Sequence, residues 1–185
     1  MSNSTKGFSL IELIVTLAVA SVVIALALPS FQRLMQSNRV AAIGDEFSSA
    51  LTFARMEALK RSQRVSICAS DDGVACTADW NDGYIVFVDT AASDTAAPMP
   101  AAAPAVSALK KWGPRNDGVS LTAKLDGVTD TNYIRFTSLG GFARPATGET
   151  RVEVDVLIPK CSGINLPRIT VGLTGMVSSV DRNCP

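Results

Sequence analysis

Hydrophobic and polar positions divide the chain into two regimes. No ionisable side chain occurs from Leu13 to Gln32, and residues 13–28 are apolar apart from Thr16 and Ser21. As a helix, residues 8–28 would reach ~31 Å, enough to cross the hydrocarbon core of a bilayer. Beyond them Val40, Ile43, Phe47, Ala50, Leu51, Ala54 and Ala58 recur every three or four residues, the spacing of a one-sided helical stripe. Arg39, Glu46, Ser49 and Glu57 fall largely off that stripe, and Lys60 and Arg61 suit the negative pole of a helix ending there. Pro29 cannot donate to the carbonyl of Ala25, which predicts a helix kink or local melting at that point.

From Gln63 the period changes to two. Residues 64–70, 83–90, 118–127, 132–138, 150–158 and 168–175 alternate or run β-branched, with Gly, Asp, Asn or Pro between them. One long helix followed by six or seven strands predicts an α+β fold with antiparallel sheet. Residues 91–108 are rich in alanine and proline and poor in large apolar groups, so they read as a surface loop or hairpin extension.

Glu12 does not fit an ordinary apolar span. A carboxylate in hydrocarbon costs roughly 2.5 kcal/mol or more. A cleavable signal peptide would use Lys6 as its positive region and "ALA" at 25–27 as its cleavage site. That reading leaves one positive charge, a carboxylate heading the apolar region, and Pro29 close behind the cut. An ordinary membrane anchor explains the apolar run and leaves Glu12 without a reason.

The stretch "GFSLIEL", residues 7–13, resembles the processing motif of type IV prepilins and pseudopilins: a leader ending in glycine, then phenylalanine, then glutamate four residues on, then an apolar helix. The resemblance implies cleavage between Gly7 and Phe8 by a membrane aspartyl peptidase and N-methylation of Phe8. Glu12 becomes the fifth mature residue and an assembly residue, pairing with the new amine of a neighbouring subunit; a paired carboxylate is tolerable where a lone one is not. A second stretch, "DWNDGYIVFVD" at 79–89, resembles the GspH/FimT branch of pilins.

Together these resemblances imply a pilin-like fold divided into a leader (1–7), a transmembrane or fibre-core helix (8–29), its amphipathic continuation (30–62) and a β-rich periplasmic or pilus-surface domain (63–185). They imply a minor pilin of the type IV pilus, in its tip or priming complex. A GspH-type minor pseudopilin of a type II secretion system is one alternative and a FimT-like DNA-uptake pilin another. Implied partners are major and minor pilins, the prepilin peptidase and the inner-membrane assembly platform. The implied location is the inner membrane, with a periplasmic domain, before assembly and the extracellular pilus afterwards.

Composition narrows the chemistry. Lys plus Arg total 17 and Asp plus Glu total 17, which argues against a general polyanion binder. No histidine is present, removing the commonest general base and metal ligand, and no paired-carboxylate motif replaces it. No enzyme activity and no cofactor are expected. Cys68, Cys76, Cys161 and Cys184 form no C-x-x-C; an even count behind an export-type N-terminus reads as two disulfides. Of three pairings, Cys68–Cys76 with Cys161–Cys184 closes the shorter loops and is the expected one.

Asp71, Asp72, Asp79 and Asp82 could offer oxygen ligands to calcium, but no EF-hand spacing is present, so they read as a solvated acidic loop and no metal is expected. Arg55, Lys60, Arg61 and Arg64 read as a basic patch at the helix end. Residues 174–185 carry only Arg182, beside Asp181, so DNA binding is not expected.

Overall fold

The computed structural model describes residues 7–100, 108–115, 118–144, 148–159 and 161–184. One helix, α1, runs through 52 residues, Leu10–Arg61. Ser9 caps its start, the hydroxyl accepting from the Glu12 backbone N–H at 3.3 Å. Ser62, left-handed at φ 51°, ends it and turns the chain back.

Of the kink or local melting expected at Pro29, melting does not occur: α1 is continuous through it. Nearby hydroxyls take up helix carbonyls, as they do in apolar surroundings. Ser30 Oγ donates to the Ala27 carbonyl at 2.9 Å, and Thr16 and Ser21 bond back to Leu13 and Ala18 in the same way.

Nine strands are present among the described residues: β1 (Val65–Ala69), β2 (Tyr84–Val88), β3 (Ala108–Trp112), β4 (Ser120–Leu125), β5 (Thr129–Asp130), β6 (Tyr133–Phe136), β7 (Arg151–Leu157), β8 (Asn165–Gly172) and β9 (Val177–Asn183). They form two sheets, β3-β2-β1-β6 and β5-β4-β7-β8-β9, with every pair antiparallel. The count exceeds the six or seven expected because β3, β5 and β9 were not legible as strands; β8 also begins earlier than expected, at Asn165 rather than Arg168. Pro167 sits in β8 just outside the ladder with β7, where its missing N–H is not needed.

The helical stripe and the inner faces of both sheets form the core. All seven stripe residues are buried, together with Val65, Ile67, Tyr84, Val86, Ile134 and Phe136 from the first sheet and Leu121, Val154 and Ile169 from the second. Gly44 brings α1 against β8: a Cβ there would stand 2.7 Å from Pro167 Cγ. The first sheet is covered on its other face too, where Cys68, Ile85 and Phe87 form a smaller cluster. The part of residues 91–108 that lies within the described residues contributes to that covering, since Asp89 bridges to Pro100.

Candidate functional site on the N-terminal helix

The first half of α1 packs against nothing. Phe8, Leu10, Ile11, Leu13, Ile14 and the apolar residues that follow to Met35 are exposed, and the first buried position is Val40. The helix is long and apolar enough to cross a membrane, and none of its apolar stretch is buried in the domain. Glu12 lies in the first turn, its carboxylate exposed on the apolar half and its backbone N–H held by Ser9. A carboxylate at a helix N-terminus also gains from the positive pole of the dipole. Gly7 and Phe8 precede the helix in an exposed segment with no regular structure, and a Cβ on Gly7 would meet nothing within 4 Å. Gly7 and Phe8 are both exposed, and the N-capped turn behind them holds Glu12 at a fixed offset from Phe8.

The domain itself is held by features at three levels. Cys68 is bonded to Cys76 and Cys161 to Cys184, with Cα separations of 5.6 and 6.0 Å. Trp80 and Tyr84 frame Gly83 and pack edge-on against Phe47 of α1, at centroid distances of 5.4 and 5.1 Å. The Tyr84 hydroxyl donates to Glu46 Oε1 at 3.0 Å, where Arg115 also donates at 2.8 Å. Burial pushes the Tyr84 phenol far above its ordinary value. This aromatic and ionic seam fixes α1 to β2.

The cations singled out at the end of α1 are occupied one by one rather than pooled. Arg55 donates to the carbonyls of Gly140 and Thr174, Lys60 and Arg61 share Glu57, and Arg64 pairs with Asp94. Arg182 reaches Asp155 at 3.3 Å, beside Arg168, whose guanidinium grips Asp155 at 2.6 and 2.7 Å. Asp71, Asp72, Asp79 and Asp82 are all exposed. Asp72 and Asp79 cap their own loops: Asp72 accepts from Val74 and Ala75, Asp79 from Asn81. Among the described residues no group of three His, Cys, Asp or Glu side chains could hold a metal ion.

The residues not anticipated are Asp89 and Arg135. Both are fully buried and paired at 2.7 Å, and Arg135 also donates to the carbonyls of Ser93, Asp94 and Ala96. Alternation in "YIRF" reads Arg135 as solvent-facing. The available clue was β2, "YIVFV", whose unbroken apolar run signals a sheet covered on both faces.

A family model described as type II transport protein GspH matches residues 44–175. The chain belongs to the GspH family. A second model, the prokaryotic N-terminal methylation motif, matches residues 2–28 of this GspH-family chain and contains Gly7, Phe8 and Glu12. It is thus a minor pilin or pseudopilin, from a family of structural subunits. Two crystal structures illustrate the shared fold. The type IV minor pilin FimU of Pseudomonas aeruginosa is 19% identical with a TM-score of 0.55, covering 78% of this chain and 90% of that one. The minor pseudopilin EpsH of the Vibrio cholerae type II secretion system is 11% identical with a TM-score of 0.50, covering 80% and 98%. At these identities the likeness speaks for fold alone. A search among curated proteins found no match.

Proposed function

We propose that this protein is a minor pilin, a structural and non-catalytic subunit of a type IV pilus that enters the tip or priming complex. The observation that carries the reading is the unpaired apolar half of α1 headed by Glu12. A helix of this kind needs a membrane before assembly and other helices afterwards. Cleavage after Gly7 releases a cationic amine on Phe8, and methylation of that nitrogen leaves it cationic. Glu12 of one subunit pairs with that amine of a neighbour, so the buried carboxylate that is costly alone becomes the group that sets register. Pro29 sets a bend between the embedded half and the half packed on the sheets.

Major and minor pilins are the proposed partners in the fibre, the prepilin peptidase and inner-membrane platform those before it. The second reading, a minor pseudopilin of a type II secretion system, is favoured by the description of the matching family itself.

Deleting the protein in its source organism separates the two. Loss of surface pili with secretion intact supports the pilus reading, and recovery of the protein in sheared pili beginning at N-methylated Phe8 completes it. Normal pili with failed export of folded exoproteins assigns the protein to secretion instead.

A further inference from the structure

Among the described residues the two sheets end in four edge strands, β3, β6, β5 and β9. Three of them are poor templates for a further strand. β5 has two residues, β6 has four and is continued by the Phe136–Phe142 bridge, and β3 carries Lys110 and Lys111. β9 differs: it runs for seven residues, Val177–Asn183, with neither proline nor lysine, and pairs with β8 on one side only. Its exposed polar side chains discourage indiscriminate pairing, but its outer row of backbone N–H and C=O groups stays open.

Behind that edge lies a groove of about 460 Å³ between β9, the start of β8 and α1, lined by Arg33, Ser37, Asp45, Asn165, Ser179 and Asp181. Strand alternation separates the two faces of β9. Ser179 and Asp181 turn toward α1, while Arg182 turns to the other face, where Asp155 holds it. Pro167 is the register partner of Asp181 and lies against Gly44, so Asp181 stands at the level of Asp45. Arg33 lies ~18 Å nearer the apolar half of α1. The groove therefore has an acidic end and a basic end. Among the described residues no hydrogen bond or ion pair engages Arg33, Asp45 or Asp181. The cations at the far end of α1, by contrast, are each held within the chain.

We propose that β9 receives, as an added strand, an extended segment of a different subunit of the same fibre, with a basic side chain set at Asp45 and Asp181 and an acidic one beside Arg33. At ~3.3 Å per residue the groove takes about five or six residues of extended chain. Leu34 and Ile164 are its only large aliphatic side chains, so it offers backbone pairing and charge rather than the apolar anchor points that a docked helix needs. A second copy does not fit: its β9 would bring Ser179 and Asp181, and the one arginine there, Arg182, is committed to Asp155. The proposal rests on the reading of the protein as a fibre subunit.

The test places a photo-cross-linking amino acid at positions 178, 179 and 180 of the full-length protein, one at a time, and maps the products from sheared fibres by mass spectrometry. All three side chains are exposed, so folding does not depend on them. The products should join one segment of a different subunit, and the linked residue should move one place along that segment for each step along β9, as paired strands require. Per chain present in the fibres, Asp181→Lys should cut the yield from position 179 at least about fivefold. Asp71→Lys, the same change on an exposed loop outside the groove, should leave it unaltered. Links to a second copy or to lipid, linked residues recurring every three or four as on a helix, equal yields in the two variants, or no product from fibres that contain the protein overturn the added strand and leave the subunit reading intact. Absence of the wild-type chain from fibres overturns both.

Discussion

Asp89 Oδ2 and Arg135 Nε meet at 2.7 Å with neither side chain in contact with solvent. The pair sits between the first sheet and the loop that covers it. Asp89 also accepts from Ser66 Oγ and from the backbone of Ala91 and Met99, while Arg135 supplies donors to three loop carbonyls. Every strong hydrogen-bonding group of the pair is thereby used, which is the condition for keeping buried charges.

Removing one partner strands the other. Arg135→Ala should lower unfolding free energy by about 3–5 kcal/mol, the usual cost of an uncompensated buried charge. Chemical denaturation of the chain without its first thirty residues measures it, and protease cutting within 90–100 should rise in parallel. A loss below about 1 kcal/mol would mean the loop is held by other contacts.

Acid should find the same pair. Burial alone would raise the Asp89 carboxyl, but hydrogen bonds from Ser66, Met99, Ala91 and Arg135 outweigh it and hold the group below its ordinary value of 3.8. Asp155 behaves likewise, with Arg168 outweighing its burial. Carboxyls depressed in the folded state contribute stability that is present above the unfolded value and lost as pH falls through the folded one. Unfolding midpoints measured across the acid range should therefore drop below about pH 4, and Asp89→Asn should flatten part of that drop.

Gly83 carries a backbone constraint rather than a side-chain one. At φ 119° it occupies a region that favours glycine, and a Cβ would stand 2.6 Å from the Trp112 carbonyl and 2.9 Å from that of Ser70. Both obstacles are backbone, so neither can swing aside. Gly83→Ala should cost on the order of 1–3 kcal/mol or more and loosen β3 from β2. Amide exchange along β2 and β3 reads this directly; unchanged protection would contradict it.

The chain also should not bind duplex DNA better than a neutral control at physiological salt. Arg182 is committed to Asp155, and the cations at the end of α1 are each engaged, so few counterions would be released from a duplex. Tight binding that weakens steeply with salt and disappears in Arg182→Ala would contradict this and favour a DNA-uptake role.

What the sequence disclosed followed from burial. The stripe from Val40 to Ala58 has one buried side, and its period survives in the letters. The core strands β1, β2, β4, β6 and β7 were legible for the same reason. In contrast, β9 is "VSSVDRN", largely exposed at a sheet edge, and β3 carries Lys110 and Lys111 at another edge. Edge strands are made polar to discourage further pairing, and that removes the alternation by which a strand is recognised. Arg135 was hidden by the opposite effect: a loop distant in sequence buries a position whose local pattern says solvent. The offsets of Gly7, Phe8 and Glu12 were legible because a processing motif is read along the chain, without need of the fold.

Glu12 bears the central claim, and the decisive quantity is how Glu12→Ala protein divides between membrane and fibre. The substitution makes the span more apolar, so insertion should be intact. Gly7 and Phe8 are untouched, so cleavage should persist and the mature chain should still begin at Phe8. The carboxylate that would receive a neighbour's amine is gone, leaving that charge uncompensated in a low-dielectric fibre. Quantified in fractionated cells, the processed variant should accumulate in the inner membrane and fall at least about tenfold in sheared fibres relative to wild type. Entry into fibres at the wild-type level would contradict the account, because Glu12 would then have no part in assembly.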